Sequence, residues 1–478
     1  MKKHFNISYF CYAIGLFVTC FAVSLYNTQN PLTNTYARGD SSVYQYIGQM
    51  MRQGILPYRD IFDHKGPIVY LWNMMGGIIH PTWGQWLLEF LLLLGSAALA
   101  FLMAHKYLSS FLSFLITATV IILTPKDDTI GNTESLSVFL NFAFLYYCLQ
   151  IQSHIKRNSF ILGLILALQL FIKPTHAMMG IIYGTGIFLK LWIEKRHQLL
   201  KQFLLYASTG CLSASEALLL ILWLYGILPD FYHSYIIFNL QYTPYWKTTY
   251  SLTFINSFYF TEPLVKLSLG LTGLLLLYSL TPNTPYRPII WLNTSAVLAI
   301  IFLIIMPHNP LKHYTYMLSP TLFTSLALFC LCYKKYPLSV LVFLIFFFIY
   351  GINQTATFLK NNILKQQDST IIETVHFLQN NLKENEPFTV LGYDMCRLHL
   401  LSKHPSATHY PMNSMVNRIM PEKLFTELKQ AKPKFILLRK EEISHYKDNF
   451  ITYWPDFINE YQLITQNSKY HIFMRTMP

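Results

Sequence analysis

The stretch GDSSVYQYIGQMMRQGILPYRDIFDHKGPIVYLW, Gly39–Trp72, decides how this chain is read. It sets Asp40, Asp60, Asp63, His64 and Lys65, together with Arg52 and Arg59, between two apolar stretches. Charges held against a hydrocarbon layer cost desolvation free energy, so a cluster of both signs there points to a working site. Carboxylates of this kind can activate a hydroxyl or an amine, while Lys65 and the arginines can hold a phosphate.

Outside this loop the 478-residue chain is oily, with 53% hydrophobic and only 12% charged residues and a mean hydropathy of +0.33. Soluble domains carry roughly 25% charged residues, so composition predicts a polytopic α-helical membrane protein. The 16% of aromatic residues agrees, because Tyr and Trp favour the bilayer interface. The formal charge of +13 comes from basic residues scattered among loops. With no basic stripe, zinc spacing or RNA-binding signature, the charge reads as topology, and no nucleic-acid partner is expected. Of the seven cysteines, only Cys396 lies in the soluble terminal region, so that region cannot staple itself with a disulfide.

A membrane span needs about 20 largely apolar residues. Apolar runs at roughly 8–26, 86–104, 110–124, 136–151, 159–173, 177–193, 202–227, 264–281, 289–306, 314–332 and 337–352 predict about eleven spans. The first reads as an uncleaved span, since no small-x-small cleavage site follows it. The pair flanking Lys173-Pro174-Thr175 also fits one broken hairpin. Lys and Arg concentrate in alternate loops, among them Lys2, Lys106, Arg157, Arg196, Lys201, Arg287 and Lys335, with Glu194 the sole acid. By the positive-inside rule those loops are cytoplasmic. The N-terminus is then inside, and the Gly39–Trp72 loop and the C-terminal region are extracytoplasmic. A domain division follows, with residues 1–352, including the outward loop 27–85, in the membrane and 353–478 outside it. The latter composition is that of a small α/β domain. Thr370-x-x-Glu373 predicts a capping box opening a helix through Leu382. Phe388–Asp394, Lys434–Arg439 and Tyr470–Arg475 predict strands, with a helix over Pro421–Gln430.

Asp40 has two readings from position alone, a general base for an acceptor group or the N-cap of an interfacial helix. Asp60 and Asp63 stand three apart, so a turn can present both on one face, and His64 adds a proton carrier or ligand. Asp60, Asp63 and His64 also make a weak divalent-metal triplet. Lys65, before Gly-Pro, is placed to offer a point charge to phosphate. A salt-bridged interfacial loop is the plainer reading, against substrate contact by Arg59, Asp60, Asp63 and His64. Further along, Lys126, Asp127 and Asp128 read as loop solvation, whereas Glu134 enters the next helix and is the stronger site candidate. His308, Lys312, His313 and Tyr314 fit either interfacial anchoring or substrate contact. Glu216, beside Ser213 and Ser215, reads as the only acid well inside a span.

An early outward Asp, then Gly-x-x-Pro-Tyr-x-Asp over Gly54–Asp60 and His-Lys-Gly-Pro-x-x-Tyr over His64–Tyr70, resembles the GT-C superfamily of membrane glycosyltransferases. The resemblance is closest to the bacterial branch related to protein O-mannosyltransferases and lipid A aminoarabinose transferases. It implies transfer of a sugar from a polyprenyl-phosphate donor to a glycolipid, cell-envelope polymer or protein acceptor, at the outer face of the cytoplasmic (inner) membrane. It further implies that Asp40 is the catalytic aspartate, that Lys65 contacts the carrier phosphate, and that Glu134 is the acid of the second outward loop. An Asp base in direct attack implies inversion. Ser41 follows Asp40 where relatives often carry a second acid, and Gly66 stands where many have proline. A secondary transporter would favour broken helices and repeats, of which Lys173-Pro174 is the one hint. A flippase for lipid-linked glycan and a non-catalytic scaffold are the other rivals.

Overall fold

The computed structural model describes residues 7–27, 29–33, 37–124, 130–242, 251–306, 311–362, 368–392 and 396–476, with the side chains of 7–8 and 358–362 left aside. In chain order its first nine α-helices are α1 Ile7–Ser24, α2 Gly39–Met51, α3 Pro67–Ile79, α4 Gly84–His105, α5 Ser110–Leu123, α6 Thr133–Leu149, α7 Ile155–Leu170, α8 Met178–Ile193 and α9 His197–Leu224. By contacts the chain divides into two compact units. One comprises Met1–Asn27, Trp86–Ile221 and Trp246–Ile363; the other comprises Thr28–Gln85, Leu222–Tyr245 and Leu364–Pro478.

The first unit is helical and spans the membrane. Among the described residues, six stretches are long and apolar enough to cross a bilayer: Gly84–His105, Pro174–Ile193, His197–Leu224, Arg287–Ile305, Lys312–Cys332 and Pro337–Thr357. Leu252–Phe260 and Pro263–Ser279, bent by 83°, make a seventh if they act as one span. The protein is thus a multi-pass membrane protein, but the expected eleven spans are not reached by this measure. Helices α5, α6 and α7 hold 14, 17 and 16 residues. At about 1.5 Å per residue they fall short of a hydrocarbon core about 30 Å thick. Lipid offers helices no hydrophobic reason to associate, so small residues and buried polar pairs do much of the joining. Tyr183 of α8 donates to Asn293 Oδ1 at 2.7 Å, and Asn293 donates to Ser325 Oγ at 2.8 Å. Gln169 of α7 donates to Asn141 Oδ1 of α6 at 2.7 Å. At Gly163 the backbone of α9 approaches so closely that a Cβ would strike Ala207. Lys173-Pro174 separates two distinct helices through a short 3₁₀ turn at Pro174–Ala177. Buried Glu89, one turn into α4, accepts from Gly131 N at 3.0 Å.

The second unit gathers the Gly39–Trp72 loop with the C-terminal region. Its sheet runs in the order β1 Thr389–Leu391, β2 Phe435–Arg439, β4 Tyr470–Arg475, β3 Tyr461–Gln466. The β1–β2 pair is parallel and the other two are antiparallel. Four of five β2 residues are buried, as a central strand covered on both faces requires. Three of these strands match the sequence expectation. β3 does not, because its residues after Tyr461 are exposed and carry no apolar alternation. The helix Ser369–Asn381 is capped by Asp368, which accepts from Thr370 N at 3.1 Å, so the predicted Thr370 cap lies two residues off. Pro421–Ala431 forms as expected, whereas Tyr393 and Asp394 lie outside the described residues. Helix α2 lays Tyr46 against this domain, where its hydroxyl accepts from Ser406 N at 2.8 Å. Phe62 N donates to His409 O at 2.8 Å, and His409 Nε2 meets Tyr58 O at 3.0 Å.

Candidate active site

The loop between α2 and α3 folds back on itself around two tyrosines. Tyr58 has φ +70°, a left-handed conformation that a bulky residue rarely adopts. It is held there by Tyr58 N donating to Ile61 O at 2.7 Å and by its hydroxyl donating to Lys65 O at 2.8 Å. Its ring packs on Tyr70 and on Phe231, with centroids 5.7 and 5.4 Å apart. The turn this creates sends neighbouring residues in opposite directions. Arg59 and Asp60 pair at 3.1 Å with side chains 47% and 34% exposed. The hydrogen bond from Arg59 holds the Asp60 carboxyl below its ordinary range. Asp63 and His64 instead turn inward and are buried.

Asp63, His64 and Lys65 form a continuous polar line. Tyr70 donates to Asp63 Oδ2 at 2.8 Å, and His64 Nδ1 stands 3.3 Å from Asp63 Oδ1. Lys65 Nζ lies 2.6 Å from His64 Nε2. An ammonium only donates, so Nε2 accepts, while Nδ1 approaches Asp63 Oδ1 without hydrogen-bond geometry. The imidazole is wedged by Phe238 and Tyr242, at 5.3 and 4.8 Å, and Asn239 donates to the His64 carbonyl at 2.8 Å. Burial pushes the Asp63 carboxyl up from its ordinary value, opposed by Lys65 and Tyr70, while the negative Asp40 pushes it the same way. Asp40 therefore lies within electrostatic reach of this line. It occupies the first turn of α2, half-buried, where the helix dipole favours a carboxylate. The cap of α2 is Arg38, so the N-cap reading of Asp40 does not hold. Lys65 is followed by Gly66 and Pro67, which open α3 with proline at its first position.

A second cluster stands in the membrane unit. Glu134, in the first turn of α6, is 1% exposed. Lys173 Nζ and His176 Nε2 reach its Oε1 at 3.3 and 3.4 Å. The Ser137 hydroxyl, which donates to Thr133 O, lies 2.6 Å from His176 Nδ1. Lys173 also sits 4.1 Å over the ring of Tyr314, a cation–π contact. His313 is buried and acts electrostatically on Glu134. Glu134, His313 and Tyr314 are thus brought together within the membrane unit. Lys173 and His176 were missed as partners; their signal was the Lys-Pro-Thr-His break between two apolar runs. Tyr58 and Tyr70 belong to the quoted motifs but had no role assigned. Lys126, Asp127, Asp128 and His308 lie outside the described residues.

The metal triplet is not assembled. Asp60 points to solvent while Asp63 and His64 are buried. Among the described residues, no three His, Cys, Asp or Glu side chains converge as a metal site.

No family model matches the chain, and no curated protein matches it. Solved structures do. ArnT from Cupriavidus metallidurans bound to undecaprenyl phosphate is similar with a TM-score of 0.63 at 13% identity, over 96% of this chain and 97% of that one. The archaeal oligosaccharyltransferase AglB from Archaeoglobus fulgidus, in complex with an inhibitory peptide and a dolichol-phosphate, is similar with a TM-score of 0.51 at 11% identity. That likeness covers 94% of this chain and 72% of AglB. The chain has the GT-C fold.

Proposed function

We propose that this protein is an integral-membrane glycosyltransferase that moves a sugar from a polyprenyl-phosphate carrier to an extracytoplasmic acceptor. The acceptor class is a glycolipid, a cell-envelope polymer or a protein. The observation that carries the reading is the Asp63–His64–Lys65 line beside Asp40. It offers a part-buried ammonium against an imidazole that a buried carboxylate approaches, with a second carboxylate at a helix start within electrostatic reach. A likeness in fold to two proteins solved with polyprenyl-type phosphates supports it.

In this reading Lys65 neutralises the carrier phosphate, and the nearby start of α3 favours the same anion. Asp40 takes the proton from the acceptor hydroxyl or amine as that atom attacks the anomeric carbon. The bond from that carbon to the phosphate oxygen breaks, polyprenyl phosphate leaves with the electron pair, and the anomeric configuration inverts. The enzyme supplies mainly positioning and charge stabilisation, because a neutralised phosphate is already a good leaving group. Glu134, His313 and Tyr314, with Lys173 and His176, are the second group of residues proposed to serve substrate placement. The loop charge bias supports an N-terminus inside the cytoplasmic membrane and the C-terminal domain outside.

The test is donor kinetics of the purified protein in lipid. Lys65→Ala should raise the KM for the polyprenyl-phosphate sugar about tenfold or more, as expected for a lost charge-assisted contact. Lys65→Arg should keep part of the activity, since charge survives while geometry changes. Unchanged donor kinetics in Lys65→Ala would remove this lysine from the site.

A further inference from the structure

A polar cavity of about 280 Å³ lies where α2 and α3 end. Its walls all belong to the second unit. Gln45, Gln49 and Arg52 follow one another at steps of four and three along α2 and its C-cap, so one helix face presents them together. Gln49 stands about 13 Å past Asp40 along the axis, at 1.5 Å per residue. The cavity is therefore at the opposite end of α2 from Asp40.

The walls are braced by polar contacts. Gln29, 3% exposed, and Gln45 exchange amide hydrogen bonds at 2.8 and 2.7 Å, and Gln29 also donates to Thr82 O at 2.6 Å. Arg52 Nη1 donates to Gly77 O at 2.8 Å, and a Cβ at Gly77 would crowd that nitrogen at 3.3 Å. Lys403, at φ +64°, ends the helix Cys396–Ser402 in the left-handed conformation that glycine adopts freely. A strained lysine at the wall of a cavity points to a use for its charge. Among the described residues, the side chains of Gln49, Gln53 and Lys403 make no hydrogen bond or ion pair, which leaves their polar ends for a ligand.

The lining selects by chemistry. Each glutamine amide both donates and accepts, which matches hydroxyls that do the same. Arg52 and Lys403 add two positive charges, and none of the described lining residues is an acid, which disfavours a cationic ligand. None of them is Phe, Tyr or Trp, so a nucleobase finds no such ring to stack on. The volume falls just below the roughly 300–1,000 Å³ of pockets for drug-sized molecules, which suits a single sugar ring. We propose that this cavity binds a saccharide unit bearing an acidic group, phosphate or carboxylate, with the glutamines on its hydroxyls and Arg52 and Lys403 on the acid. The inference is independent of the glycosyltransferase reading, because binding is measured directly.

The experiment is isothermal titration of the full chain in phosphatidylcholine nanodiscs with glucose 6-phosphate, glucuronate, glucose and inorganic phosphate. At least one acidic sugar should bind saturably, about tenfold or more tighter than glucose or inorganic phosphate, as charge-assisted contacts require. Arg52→Gln and Lys403→Gly should each weaken that binding about tenfold, and Gln49→Ala should weaken it severalfold. Lys403→Gly relieves the left-handed strain, so its unfolding midpoint should not fall, which separates a lost contact from a damaged fold. Lys65→Ala should leave the binding unchanged. The inference is overturned if no acidic sugar binds saturably in the millimolar range, if glucose or inorganic phosphate binds as tightly, or if Lys403→Gly binds like the wild type. Binding lost in Lys65→Ala but kept in Lys403→Gly would place the sugar at the other cluster and equally overturn it.

Discussion

The two polar clusters of this protein use the same parts and assemble them in opposite ways. Each sets a buried carboxylate against an imidazole and a lysine. In the loop before α3 the three groups are consecutive, Asp63, His64 and Lys65, and local turn geometry builds the line. In the membrane unit, Glu134 comes from α6, Lys173 and His176 from the break before α8, and His313 and Tyr314 from the turn at Lys312–Leu318. The first arrangement survives as long as the turn does. The second requires three separate helical segments to be packed correctly, so its residues report on the fold as well as on any chemistry.

The largest effect should fall on the loop cluster. Asp40→Asn keeps size and most hydrogen bonding but cannot accept a proton, so turnover should drop about a hundredfold to ten-thousandfold with the unfolding midpoint unchanged. Near-normal turnover would move the base to Asp63. The membrane cluster should break differently. Glu134→Ala leaves Lys173 and His176 facing an emptied site and should cost about 3 kcal/mol, the low end for a broken buried pair since Lys173 is partly exposed. That loss is read as a lowered midpoint in detergent, and a variant as stable as the wild type would show that the cluster is not holding α6 to the α7–α8 break.

A smaller effect distinguishes Asp63. Its carboxyl is raised by burial in the folded protein. Its favourable contribution is therefore full below the unfolded carboxyl value near about pH 4 and is lost as pH rises through the folded value. Asp63→Asn should flatten that loss, making the midpoint less sensitive to rising pH, while donor use suffers because His64 loses the neighbouring carboxylate. An unchanged pH profile of stability would mean that Asp63 is better paired than its surroundings indicate. The smallest effect belongs to Arg59. As half of an exposed ion pair, Arg59→Gln should leave donor KM within about twofold and the midpoint unmoved. A marked rise in KM would instead put Arg59 on the carrier phosphate.

Much of this was legible in the sequence, and the reason is locality. Composition dictates a membrane protein, because a chain with so few charges can bury or lipidate its apolar residues only by spanning. Gly54–Asp60 and His64–Tyr70 carry their chemistry in short runs, so residue order alone brings Asp63, His64 and Lys65 together. Of the three recognised strands of the C-terminal domain, β1 and β2 are short buried runs of β-branched, leucine and aromatic residues, and β4 buries Tyr470 and Ile472. β3 escaped because an exposed edge strand has no burial pattern to write into sequence.

The rest required the fold. Asp60 and Asp63 look equivalent on paper, yet the strained turn at Tyr58 sends one to solvent and the other inward, and that removes the metal triplet. The partners of Glu134 lie 39 residues away at Lys173–His176 and farther still at His313. Nothing in the intervening sequence specifies which apolar helices will pack, since lipid and protein are equally oily and only scattered contacts such as Tyr183–Asn293 choose between them. The same holds for Glu216. Sequence places it within a span, but only tertiary structure shows that its helix face is left uncovered. The sequence by itself determined the solvent of each segment and the chemistry of its local clusters. The tertiary structure decided which distant charges meet, because that choice rests on packing partners rather than on chain order.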